Sequence, residues 1–175
     1  MEELALAYVA RFATSSAKLE RYLNRKLWER GWSEEEEAPA DISELVARFV
    51  DRRYVDDAAY ARMRSGDLLR RGYGERRVNQ ALGQAGIAGE IREELAPDEA
   101  AKRRAALRLA EKRGLGPFGL QPSDREKREK QIAAMLRAGH SFDHTRALID
   151  AENAELAREW VTEAEEDEDD ESDFG

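Results

Sequence analysis

Apolar residues along this chain recur with the spacing of one helix face. Ile42, Leu45, Val46, Phe49 and Val50 fall at i, i+3, i+4, i+7 and i+8, a single stripe on a helix. Leu19, Tyr22, Leu23 and Leu27 make a second stripe, Val78, Ala81, Leu82 and Ala85 a third, and Ile132, Met135 and Leu136 a fourth. Ala5, Val9 and Phe12 mark a helix near the start. No stretch shows the strict alternation of a half-buried strand. The pattern predicts an all-α chain of nine main helices, at roughly 3–13, 17–30, 42–53, 57–71, 75–85, 89–95, 98–113, 124–138 and 142–162. The last is drawn long because no breaker stands between Ser141 and Ala164.

Punctuation agrees with the stripes. Pro39, Pro97, Pro117 and Pro122 all fall between helical stretches, where a missing N–H costs nothing. Ser33 with Glu36 and Ser123 with Glu126 have capping-box spacing, and Asp41, Asp57, Asp98 and Ser141 are candidate N-caps. Gly31, Gly72, Gly86, Gly114 and Gly139 stand where helices should stop.

Three of those glycines share their surroundings. Leu27–Ser33, Leu82–Ala88 and Met135–Ser141 each end an apolar helix with a glycine, then a large residue and a small one. Gly31, Gly86 and Gly139 are 55 and 53 residues apart. Short helices are marginal alone, so stacked three-helix units would stabilise one another. The expectation is three tandem three-helix repeats in an elongated curved array, at about 1–55, 56–97 and 98–162, followed by a disordered acidic tail at about 163–175.

Composition narrows the chemistry. Charged residues make up 38% of the chain and hydrophobic ones 41%, which fits thin helical layers better than one thick core. Cysteine is absent, so disulfides, thiolate zinc sites and cysteine nucleophiles are excluded. The early apolar run Leu4–Ala10 lies between Glu2, Glu3 and Arg11 and is too short for a signal or a membrane span, so a cytoplasmic protein is expected. The formal charge of −9 conceals a division. Nine acids and no base lie between Glu163 and Asp173; without those nine, the 38 acids become 29 against 29 bases. Residues 62–137 hold 18 Lys and Arg against 11 Asp and Glu, so a basic middle precedes an acidic tail.

No catalytic constellation stands out. Gly114–Gly119 is glycine-rich, but no strand precedes it and Pro117 removes an N–H that a phosphate cradle would use. His140 and His144 are four apart and lack a third metal ligand in zincin spacing, so His140 reads as the large residue covering a helix end, equivalent to Trp32 and Ile87. Asp56 and Asp57 read as caps before they read as an acid–base pair. No cofactor, metal or catalytic residue is expected.

The basic middle is the candidate functional surface. Arg70, Arg71, Arg76 and Arg77 bracket the turn Gly72-Tyr73-Gly74, and Lys102, Arg103, Arg104 and Arg108 follow on the seventh helix, with Lys112 and Arg113 beyond. A tyrosine among arginines suits phosphate contact with a stacking ring, and it equally suits an acidic protein. An ordinary solvated face with intrahelical ion pairs stays open as the third reading. For the tail, a solubility segment and a nucleic-acid mimic that shields the basic middle both stay open.

At this point the residues resemble a known family. Arg53-Tyr54-Val55-Asp56-Asp57-Ala58-Ala59-Tyr60-Ala61, then Arg70–Val78, then Leu82–Ile87, and further on Gly114, Pro117, Phe118 and Leu136–Phe142, are similar in order and spacing to RecX, from about Leu4 to Ile149. The resemblance implies three three-helix units and a non-enzymatic regulator that binds RecA recombinase filaments; a monomer is expected. It implies inhibition of their assembly, ATPase and strand exchange, in DNA repair, recombination and the SOS response. Single-stranded DNA is left open as a second partner, and a sequence-independent DNA-binding repeat protein or a peptide-binding scaffold as alternatives. His140 stands where Phe is commoner in that family and Thr145 where Ile is commoner, which predicts looser packing of the third unit. Glu34–Glu37 and the acidic tail are additions to the common pattern.

Overall fold

The computed structural model describes residues 1–30, 41–120 and 124–172, apart from the side chains of Arg30 and residues 168–172. The described residues form ten α-helices: α1 Glu2–Val9, α2 Ser16–Arg30, α3 Ile42–Asp51, α4 Asp57–Arg70, α5 Glu75–Gln84, α6 Gly89–Glu94, α7 Glu99–Arg113, α8 Arg125–Arg137, α9 Phe142–Ile149 and α10 Ala154–Ser172. A short 3-10 turn at Gly116–Phe118 follows α7. None of these helices is long and apolar enough to cross a membrane. Gly31, Trp32, the Ser33–Glu36 box, the acidic Glu34–Glu37, Pro39, Pro122, Ser123 and the last three tail residues lie outside the described residues.

The helix starts follow side-chain chemistry. Asp41, Asp98 and Ser141 each accept a hydrogen bond from the backbone N–H three residues on, at 3.0, 2.6 and 3.1 Å. Two starts differ from expectation. The cap of α4 is Asp56, which accepts from the Ala59 N–H at 2.8 Å. Asp57 instead accepts from the Ser16 N–H and hydroxyl at 2.7 and 2.6 Å, joining α4 to the start of α2. The second difference is the long last helix, which is two. α9 stops at Ile149 and Asp150 takes both ends of the Arg128 guanidinium at 2.6 Å. Asn153 then caps α10 through the Glu155 and Leu156 N–H groups, both at 2.9 Å. No Gly or Pro was needed, because an acid pulled sideways and an Asn cap break the run together.

The helices gather into two units. The first comprises Met1–Met63 with Leu82–Leu95, the second Arg64–Ala81 with Ala96–Gly175, so α4 and α5 are each divided between them. In the first unit the stripes of α2 and α3 meet: Leu19, Leu23, Ile42, Leu45, Val46 and Phe49 form a core with Ala5 and Val55. The end of α5 is tied to α2 by Ser15, whose hydroxyl donates to the Ala85 carbonyl at 2.5 Å, and by Arg21, which donates to the Gln84 carbonyl at 3.1 Å. A Cβ on Gly86 would run into Ala17, so α2 requires a glycine there.

The second unit is built around α7. Its small residues Ala106 and Ala110, with Leu109, share a core with Leu115, Met135, Ala138, Leu148, Ile149 and Ala157. Alanine on α7 and on α10 lets the two backbones approach closely, with Val161 and Ala164 buried as well. This packing continues past residue 163, where an unstructured tail was expected: Ala164 is buried and Glu165 pairs with Arg104 at 2.7 Å.

The glycine-ended helices close as the repeat predicts. The N–H of Ile87 bonds the Leu82 carbonyl at 3.0 Å and that of His140 the Met135 carbonyl at 3.3 Å, with a left-handed glycine between helix and closing residue. Ile87 and His140 are both buried, so each does cover its helix end. Tyr73 and Leu115 close α4 and α7 in the same way, onto Leu68 and Ala110. Residues 49–54 make that closure too, but with Arg53 in the left-handed position (φ 58°).

Candidate functional site

The basic middle is set by one crossing of two turns in the second unit. The Gly74 N–H donates to the Ala138 carbonyl at 3.0 Å, and the Arg76 N–H to the Gly139 carbonyl at 3.1 Å. Two N–H groups at the start of α5 are thus satisfied by the two carbonyls just past α8, which joins a positive helix end to a negative one. A Cβ on Gly74 would collide with the Gly139 carbonyl group, and one on Gly139 with the Arg77 N–H. His140 completes the lock. Its ring is 2% exposed and its Nε2 lies 2.9 Å from the Gly72 carbonyl oxygen. An oxygen there can only accept, so Nε2 carries the proton. Burial holds the His140 pKa below the ordinary histidine value; the Gly72 bond works against this and nearby His144 adds to it.

This lock fixes the arginine-bearing turn but divides the predicted set. Arg70, Arg71, Arg76, Arg77 and Arg108 are all exposed. Arg70 and Arg71 reach Asp67 only at 3.8 and 3.9 Å, and Arg77 donates to Gln80 at 3.0 Å. Arg76 and Arg108 form no ion pair among the described residues. Gly72 backs onto the Leu109 backbone, so Arg108 neighbours the residue that the turn touches. Tyr73 does not stand free between arginines. Its side chain packs against the core of the second unit, with the Arg71 guanidinium 5.4 Å from the ring centre.

Three other cations of α7, Lys102, Arg103 and Arg104, are committed within the protein. Lys102 pairs with Glu75 at 3.3 Å. Arg103 donates to Glu99 at 2.9 Å and to the Trp160 carbonyl at 2.7 Å, and lies 4.7 Å over the Trp160 ring centre. Arg104 pairs with Glu165 at 2.7 Å and approaches Asp98 at 4.0 Å. Trp160 was not singled out in the sequence, although it receives Arg103 and makes a T-shaped contact with His144.

Both histidines have partners other than a metal. His144 Nε2 lies 2.9 Å from Glu99 Oε1. Burial raises the Glu99 carboxyl pKa, but hydrogen bonds from Arg103 and His144 outweigh it and leave the group below its usual range. Among the described residues, no group of three His, Asp or Glu could hold a metal ion. A cavity of about 220 Å³ lies here, between Glu75, Arg76, Lys102, His140, Ser141 and His144. The glycine-rich segment 114–119 is a helix end and a 3-10 turn, with the Gly116 N–H donating to Gln131 at 3.2 Å.

Known proteins share this architecture and much of the sequence. Residues 56–95 match the family description "RecX, second three-helix domain". A regulatory protein RecX of Myxococcus xanthus is 35% identical over 166 residues, spanning 88% of this chain and 86% of that protein. One from Vibrio parahaemolyticus is 28% identical over 121 residues, spanning 69% and 74%. Among solved structures, RecX from Lactobacillus salivarius superposes with a TM-score of 0.67 at 20% identity, over 85% of this chain and 92% of that one.

Proposed function

Because this chain belongs to the RecX family, we propose that it regulates a RecA recombinase by docking on its filament, without chemistry of its own. One observation carries the reading. Arg70, Arg71, Arg76 and Arg77 are exposed at a turn whose backbone is bonded to a second turn at Ala138 and Gly139, and Gly72 of that turn lies against Leu109, next in sequence to Arg108. A fixed backbone removes the cost of ordering the turn on binding, and the planar guanidinium loses less freedom per hydrogen bond than a lysine would, so the turn suits a charged polymer. The partner-binding set is therefore Arg70, Arg71, Arg76, Arg77 and Arg108. Lys102, Arg103 and Arg104 serve the fold first, and Tyr73 supports the turn.

The direction proposed is inhibition of filament assembly, ATPase and strand exchange, by a monomer in the cytoplasm. The proposed organisation is three repeats, at about 1–55, 56–97 and 98–162. Reversing Arg70, Arg71, Arg76 and Arg77 to Glu tests the reading in a RecA single-strand-dependent ATPase assay. Loss of inhibition with an unchanged helical spectrum is expected. Full inhibition by the reversed protein would remove this face from the account.

A further inference from the structure

The first unit carries a groove of about 240 Å³ that the basic middle does not include. Phe12, Arg53, Tyr54 and Met63 stand along it, and all four are exposed, the two rings at 56% and 51%. Arg53 is the sole non-glycine residue with a left-handed backbone among the described residues. The same helix closure uses glycine at Gly72, Gly86, Gly114 and Gly139. An L side chain at such a position is strained, and an outlier of this kind points to a role for the side chain rather than for the backbone. Yet the Arg53 guanidinium has no ion-pair partner among the described residues, nor have its exposed neighbours in sequence to the groove, Arg11 and Arg62. The acid at the groove, Asp56, is turned to the start of α4, where it caps the Ala59 N–H.

We infer that this groove binds single-stranded nucleic acid, one base against Phe12 and Tyr54 and a backbone phosphate on Arg53. Half-exposed rings beside the unpaired Arg53 guanidinium offer stacking and anion contact together, which is how sequence-tolerant single-strand sites are built. The site shares no residue with the arginine turn of the second unit.

The test is fluorescence anisotropy of a short fluorescein-labelled oligo-dT with the full chain. Arg53→Gly is the informative variant, because it relieves the backbone while removing the guanidinium. Binding is expected to weaken about tenfold, with a salt slope shallower by about 0.7 log unit, while the melting temperature holds or rises. Phe12→Ala and Tyr54→Ala are expected to weaken binding by about tenfold each, and Arg53→Lys to keep most of it. The protein with Arg70, Arg71, Arg76 and Arg77 reversed should keep this groove's response to Arg53→Gly, whatever becomes of its effect on RecA. The inference fails if the unaltered chain does not bind oligo-dT, or if Arg53→Gly and Tyr54→Ala bind it as the unaltered chain does. It fails too if these variants lose only the effect on RecA, which would make the groove a protein-docking site.

Discussion

His140 donates from Nε2 to the main-chain carbonyl of Gly72, 2.9 Å away and out of solvent, joining two turns 68 residues apart in sequence. The ring is held neutral because burial penalises its charged form. Its folded pKa therefore lies below that of the unfolded chain, about 6.5. Between those two values the unfolded chain binds the extra proton, so stability rises with pH there. The contribution is complete above about pH 6.5 and is lost as the pH falls toward the folded value. Urea unfolding at a series of pH values between about 5 and 8 should show this decline, and His140→Phe should flatten it.

Thr145 is fully buried and its hydroxyl has no hydrogen-bond partner among the described residues. Such an orphan costs about 1–3 kcal/mol. Thr145→Val keeps the shape and removes the hydroxyl, so it should raise the unfolding free energy by about 1–2 kcal/mol in denaturant titration.

Gly74→Ala puts a methyl group onto the Gly139 carbonyl, which is backbone and cannot swing aside. A loss of about 3 kcal/mol or more is expected, read as a lower melting temperature. Gly83→Ala, whose new Cβ would meet only the Arg92 guanidinium at 3.6 Å, is the control and should be near neutral or stabilising.

Arg103 and Arg108 lie five residues apart on α7 and should behave oppositely. Arg103→Ala removes contacts to Glu99 and to the carbonyl and ring of Trp160, and should cost about 1–2 kcal/mol of stability. Arg108→Ala should leave the melt unchanged and weaken only the effect on RecA. Melting curves and the ATPase assay on both variants separate the two roles.

Asn153→Ala removes the side chain that caps α10 and should cost about 1 kcal/mol, seen in the same melts.

The helices were legible because their stripes are strong. Ile42, Leu45, Val46 and Phe49 are all in the core of the first unit, as their spacing requires. α7 was legible as a helix but not as the centre of a core. Its buried face is Ala100, Ala105, Ala106 and Ala110 with Leu109, and alanine signals helix without signalling burial. The break before α10 was missed because Asn153 is a cap only once Asp150 has been drawn to Arg128, a partner 22 residues away. The glycine repeat showed where helices end but did not single out repeat ends, since Gly72 and Gly114 make the same closure inside the proposed repeats. Charge spacing likewise gathered eight cations around Tyr73 without sorting them. Trp160, Glu165 and Glu75 do the sorting, and their pairing with α7 is tertiary. His140 and Thr145, expected to loosen the third repeat, are both buried, and only the second lacks a partner.

The junction of α5 with the carbonyls of Ala138 and Gly139 bears on how the protein is born. A ribosome emits α5 long before it emits α8, so the Gly74 and Arg76 amides at its start have nothing but water to bond until some sixty more residues have left the tunnel. A stop codon anywhere in that interval would leave the middle helices without their terminus, however intact their own sequence.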